Sequence, residues 1–217
     1  MIDLNTLSLV SGNNPILQQL VDYESFDFDN PVVDPQKLFE KMLAMMADKN
    51  GIGLAAPQVG LSIKMFVIGD PKNRESVIGA FNPIIVDYSS EEILAEEGCL
   101  SYPDLWIRIK RPKNIRARFT TWDGTRETIE FKGMTARIFQ HEYDHLHGVV
   151  FQRRANLYHL QKAKKELKKL NRIKRKRSKD SSLSKHSASS TLDGGTNVHL
   201  NENLSTSRSS SISSMEG

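Results

Sequence analysis

The chain has 217 residues, 38% of them hydrophobic, which fits one domain of moderate size plus segments outside its core. Its net charge of +4 hides three regions: residues 1–152 carry −6, residues 153–179 carry +12 and residues 180–217 carry −2. No run of 18 apolar residues is present, which excludes a membrane-spanning helix, and the single cysteine excludes an internal disulfide.

The start, Met1-Ile2-Asp3-Leu4-Asn5, lacks the basic and apolar regions of a secretory signal. With one cysteine, this makes a reducing, cytoplasmic location the expectation. Ile16 to Val21 reads as a short helix or an arm. Asp34-Pro35 opens a clear helix, with Asp34 as N-cap and Pro35 in the first turn. Leu38, Phe39, Met42, Leu43, Met45 and Met46 give that helix an apolar face, and Gly51 is expected to stop it. Gly51 to Gly60 reads as a Gly-rich turn without the spacing of a nucleotide loop.

Strands are expected at Met65 to Ile68, Phe81 to Val86, Leu105 to Ile109 and Ile115 to Phe119. Trp122-Asp123-Gly124-Thr125 is a hairpin turn, returning through Thr128 to Phe131. Gly133 breaks the sheet, and a helix follows from about Thr135 to His147. Helices at both ends of an antiparallel or mixed sheet give an α+β fold. Beyond Arg153, Leu160, Ala163, Leu167, Leu170 and Ile173 recur at helical spacing among lysines and arginines, so residues 153–179 form a basic amphipathic helix. Residues 180–217 hold 13 serines and no aromatic residue; too little apolar surface is available to offset ordering, so a disordered tail is expected.

The chemistry concentrates in the helix before Gly148. Gln140-His141-Glu142-Tyr143-Asp144-His145 contains H-E-x-x-H. Positions i and i+4 of a helix share a face, so His141 and His145 can grip one cation while Glu142 reaches a water upon it. Cys99, in Glu97-Gly98-Cys99-Leu100-Ser101, can add a thiolate. Three protein ligands and one open position describe a catalytic rather than a structural metal. Each signal is weak alone, since H-E-x-x-H arises by chance on charged helices and a lone cysteine is commonly a small hydrophobe. Their joint occurrence carries the argument. His147 is placed at the helix end rather than in the ligand set.

Three segments, GIGLAAPQ from Gly51, EGCLS from Glu97 and QHEYDHLHG from Gln140, resemble the peptide deformylases in content and order. The resemblance covers roughly residues 1–155 and makes residues 1–152 a catalytic domain, followed by the helical extension 153–179 and the tail 180–217. It implies sheets wrapped around a central helix that bears both histidines. It implies a metal-dependent hydrolase that removes formyl from the N-terminal methionine of new polypeptides. Cys99, His141 and His145 match its metal ligands, and Glu142 its general acid/base. Gln58 and the backbone N–H of Leu100 match the donors to the developing oxyanion. Ile52, Gly53, Gly98, Met134 and Ile138 are the substrate-binding candidates, with the peptide added as a strand. Fe²⁺ is the implied metal; Zn²⁺, Ni²⁺ and Co²⁺ suit the same donors. The partners implied are N-formylmethionyl peptides and the ribosome, the latter met through residues 153–179, with a solvated helix that has no partner or a generic nucleic-acid patch as the alternatives.

Two positions depart from the family's pattern. Trp106 stands where many bacterial members have arginine, and Arg137 where some have an apolar residue, within reach of Glu97 or Glu96. Two rival readings remain at this level. A zinc endopeptidase would carry H-E-x-x-H, but no downstream third ligand of the common kind follows His147. A ribosome- or RNA-binding protein with a vestigial site would explain the +12 segment but not the intact ligand set. Because the motifs end at Gly148, residues 156–217 are expected to be dispensable for hydrolysis.

Overall fold

The computed structural model describes residues 2–21 and 26–188. After two short 3-10 turns, Leu4–Thr6 and Pro15–Gln18, the first long element is helix α1, Pro35–Asp48. Strands β1 (Gly53–Ala55), β2 (Met65–Ile68) and β3 (Ile78–Tyr88) follow, then β4 (Glu92–Cys99), β5 (Tyr102–Pro112), β6 (Asn114–Thr120) and β7 (Arg126–Lys132). Helix α2, Gly133–Leu146, leads through a 3-10 turn at Phe151–Arg154 to helix α3, Leu157–Ala188. The fold is α+β. Every strand pair is antiparallel, so the mixed sheet that the sequence left open does not form among the described residues.

Five strands, in the order β1-β2-β3-β6-β7, make one sheet; β4 and β5 make a separate hairpin. Strand alternation distributes the core. Met65 and Val67 of β2 join Leu38, Met42 and Met46 of α1 on one face. Phe66 and Ile68 join Ala136, Phe139 and Leu146 of α2 on the other. Full burial of a side chain such as Phe66 or Leu38 stabilises by about 1.5–3 kcal/mol. The hairpin has its own core, where Leu105, Ile107 and Ile109 meet Phe151, Leu160, Ala163 and Leu167.

Asp34 caps α1 as expected, accepting a hydrogen bond from the Lys37 N–H at 3.0 Å. The stop differs in one residue. Asn50, not Gly51, takes the left-handed conformation (φ +52°), and the Gly51 N–H closes on the Met46 carbonyl. Gly133 (φ +57°) makes the turn from β7 into α2, two residues before the expected start, and Gly148 (φ +64°) follows its end.

Two strands are new relative to the sequence reading. Strand β1 lies inside the Gly-rich segment that reads as a turn. Strand β4 lies in a glutamate-rich stretch with poor strand propensity, and its pairing with β5 overrides that propensity. Chain contacts divide the molecule into two units, Met1–Asn171 and Arg172–Gly217. The helical extension does not stop near residue 179: α3 continues through Ala188, where no Gly or Pro intervenes to break it. The expected disorder of residues 180–217 otherwise lies outside the described residues. No helix among those described is long and apolar enough to cross a membrane.

Candidate metal centre

Helix α2 and the end of β4 bring the three candidate ligands together. Donor atoms of Cys99, His141 and His145 all lie within 4.8 Å of one another. The Cys99 sulfur is 3.3 Å from His145 Nε2. Both histidines are buried, and their rings are 5.1 Å apart on one face of α2, as i, i+4 spacing requires. His147 instead turns its Nδ1 to the Tyr143 carbonyl at 2.8 Å, at the helix end.

A buried carboxylate orients the first histidine. Glu97 Oε2 is 3.0 Å from His141 Nδ1, which leaves Nε2 for a cation. The same carboxylate accepts from Arg111 Nε at 2.7 Å, Arg111 Nη2 at 3.0 Å and Arg137 Nη1 at 2.6 Å. Arg137 also donates to the carbonyls of Ile93 and Ile109, tying α2 to both strands of the hairpin. Arg111 passes a further bond to Asp144 at 2.8 Å, and Arg154 donates to Asp144 in turn.

These contacts set the protonation states. Burial alone would raise the Glu97 carboxyl, but hydrogen bonds from His141 and Arg111 outweigh it and bring the pKa down to about 2. Burial opposes charge on His141, yet hydrogen bonding to Cys99 and Glu97 pushes its pKa up to about 10. His145 goes the other way: burial, then the charges of His141 and Arg111, hold it well below its ordinary value. Burial pushes the Glu142 carboxyl up to about 7. The donor set fits a transition metal.

Glu142 stands beside the cluster with its Oε2 buried and without a hydrogen-bond partner. Gly53 makes room for it: a Cβ there would fall 2.3 Å from Glu142 Oε1. Gln58, in the 3-10 turn after β1, is fixed at both ends of its amide. Its Oε1 accepts from the Ala55 N–H at 2.8 Å, and its Nε2 lies 3.4 Å from both Cys99 Sγ and Ser101 Oγ.

One cavity of about 450 Å³ joins these groups. It is lined by Gln58, Cys99, Leu100, His141 and Glu142, and also by Ile52, Gly53, Gly98, Met134 and Ile138. Every substrate candidate therefore opens onto the space that holds the cluster. The sequence reading missed Arg111 and Asp144. Arg111 was detectable: it continues the inward parity of Leu105, Ile107 and Ile109 along β5.

The polypeptide deformylase family model matches residues 7–161. This chain belongs to the peptide deformylase family. A peptide deformylase from Cytophaga hutchinsonii is 38% identical over 166 residues, covering 74% of this chain and 85% of its own. A solved peptide deformylase from Plasmodium falciparum superposes with a TM-score of 0.66 at 30% identity, covering 76% of this chain and 96% of that one. The deformylase of Acinetobacter baumannii, solved with Met-Ala-Ser bound, gives a TM-score of 0.61 at 31% identity, covering 68% of this chain and 97% of that one.

Proposed function

We propose that Cys99, His141 and His145 hold the metal of a peptide deformylase and that Glu142 moves the protons of its reaction. The enzyme is a metal-dependent hydrolase that removes the formyl group from the N-terminal methionine of newly made polypeptides. One observation carries the assignment of roles: three donors converge within 4.8 Å, and an unpartnered carboxylate oxygen of Glu142 lies buried in the same cavity. In this reading α2 is the central scaffold around which the sheets are arranged.

Held by Cys99, His141 and His145, a divalent ion would supply Lewis acidity at this site. Glu142 takes the proton that the attacking water loses and returns it to the departing amine nitrogen. Gln58 Nε2, held by the Ala55 bond, donates to the formyl oxygen as negative charge builds on it, and the Leu100 N–H is the second donor. The peptide backbone pairs with open strand edges. Among the described residues β1 is the outer strand of its sheet and β4 pairs with β5 alone, so each has one unpaired edge there. Gly53 and Gly98 lie on these two strands, and the space a Cβ would take is filled by Glu142 at Gly53 and by the Trp106 indole at Gly98. The methionine side chain enters beside Met134 and Ile138. Fe²⁺ is the metal proposed, with Zn²⁺, Ni²⁺ and Co²⁺ as alternatives, and the cytoplasm is the proposed location.

Anaerobic turnover of formyl-Met-Ala-Ser, measured with metal content, tests this directly. An inactive chain with a full metal complement overturns it. Cys99→Ser is expected to lower metal affinity strongly, because a serine hydroxyl is not ionised near neutral pH whereas the cation favours a thiolate. Equilibrium dialysis checks it, and unchanged metal content removes Cys99 from the ligand set.

The ribosome is the second proposed partner, met through the lysines and arginines of residues 153–179. The start of α3 bears on the expectation that residues 156–217 can be removed: Ala163 is buried, and Leu160 and Leu167 pack over Ile107 and Ile109 of the hairpin that ends near Cys99. Truncation after Ala155 is expected to destabilise by roughly 2–4 kcal/mol through lost apolar burial. Truncation after Asn171 keeps that cover and removes the Arg172 to Arg177 cluster. It is expected to keep turnover and Tm, while pelleting with ribosomes falls and its salt dependence weakens, since the basic residues from Arg153 to Lys169 remain. Equal pelleting of the two chains at low and high salt would sink the tethering idea.

A further inference from the structure

Three large apolar side chains stand exposed around the cavity lined by Cys99, His141 and Glu142: Trp106 at 61%, Met134 at 59% and Ile52 at 50%. An indole carries a large apolar surface, and wetting most of it is unfavourable unless something covers it in use. Trp106 has no aromatic partner among the described residues, and its place is defined by Gly98. A Cβ on Gly98 would lie 3.1–3.2 Å from Cη2, Cζ3 and Cε3 of the indole, so the six-membered ring rests on bare backbone one residue before Cys99. Glycine at this position is what lets the indole lie over β4.

Strand parity says which part of a substrate meets it. On β4, Glu97 points inward to His141 and Arg137, whereas Gly98 belongs to the opposite face with Trp106 across the hairpin. A peptide added along the free edge of β4 alternates in the same way. Its methionine side chain occupies the inward side, beside Met134 and Ile138. The side chain of the next residue then points to the outward side, where the indole stands.

We infer that Trp106 is a specificity-determining residue, forming an apolar platform for the side chain that follows the formylmethionine. This rests on the deformylase reading above and deepens it. The platform favours apolar and aromatic second residues over small ones. Partial burial of a phenyl ring against an indole gives a preference of about 5–10-fold in kcat/KM, expressed in KM because the contact is remote from the reacting carbon.

The test compares formyl-Met-Phe-Ser with formyl-Met-Ala-Ser in the metal-loaded full chain, in Trp106→Ala and in Trp106→Phe. The wild-type chain should favour the Phe peptide about 5–10-fold. Trp106→Ala should bring the ratio close to one by raising KM for the Phe peptide several-fold more than for the Ala peptide, with metal content and Tm as in the wild type. Trp106→Phe should retain most of the preference. A second readout needs no turnover. Trp106 and Trp122 are the two tryptophans, so in Trp122→Phe the emission reports Trp106 alone, and Met-Phe-Ser should shift it to the blue. No preference in the wild-type chain, a preference that survives Trp106→Ala, or an emission indifferent to Met-Phe-Ser would each overturn the inference. Turnover of neither peptide would overturn the deformylase reading itself, and this inference with it.

Discussion

Glu142→Gln is expected to keep its metal and lose turnover by on the order of 10²–10⁴-fold. The substitution preserves volume and removes the proton acceptor. Volume matters here, because the carboxylate sits against the Cα of Gly53 with almost no spare room. Burial raises the Glu142 pKa to about 7, so the carboxylate can take a proton near neutrality and give it back. Its Oε2 makes no hydrogen bond to the protein, which leaves it to act on substrate and water. A cation on the neighbouring histidines will draw that pKa downward, since opposite charge favours the ionised form. Metal per chain and kcat are measured in parallel. If the variant loses its metal along with its activity, Glu142 belongs to the ligand set and the proton-transfer role is wrong.

The fold and the site were not equally legible in the sequence. The approach of His141 and His145 could be read because helical spacing is rigid: residues four apart must share a face, and these two do. The α1 cap at Asp34 and the β6–β7 hairpin followed from local chemistry that needs no tertiary context. Strand β4 could not be read, because Glu91, Glu92, Glu96 and Glu97 give no alternation and the strand exists by pairing with β5. That hidden strand is what places Cys99 opposite α2. The charge network stayed hidden for a related reason. Arg111 and Asp144 carry no motif that pairs them with Glu97, and the closing of the hairpin over α2 buries them around it. Motif position alone puts Arg137 within reach of Glu97, and it makes that contact at 2.6 Å.

Glu97→Ala is expected to be the most damaging substitution outside Glu142 and the proposed ligands Cys99, His141 and His145. Glu97 is 6% exposed and receives hydrogen bonds from two guanidinium groups and one imidazole. Alanine leaves Arg111 and Arg137 as buried charges without their main counter-ion, and breaking a buried pair in this way costs about 3–5 kcal/mol. It also releases the His141 ring from the bond that fixes its orientation, which lowers metal affinity by about 10–100-fold. Glu97→Gln keeps the volume and one acceptor but loses the charge, so its loss should be smaller. The pH dependence separates electrostatics from packing. The Glu97 pKa is depressed from 4.5 to about 2 in the folded chain, so its stabilisation is present above about 4.5 and is lost as pH falls through about 2. The stability gap between wild type and Glu97→Ala, both metal-free, should therefore narrow as pH falls through that window. Urea unfolding at neutral pH and at two acidic points measures it. A gap that stays constant with pH would mean that Glu97 acts by filling space, and the carboxylate would then not be what binds Arg111, Arg137 and His141 into one unit.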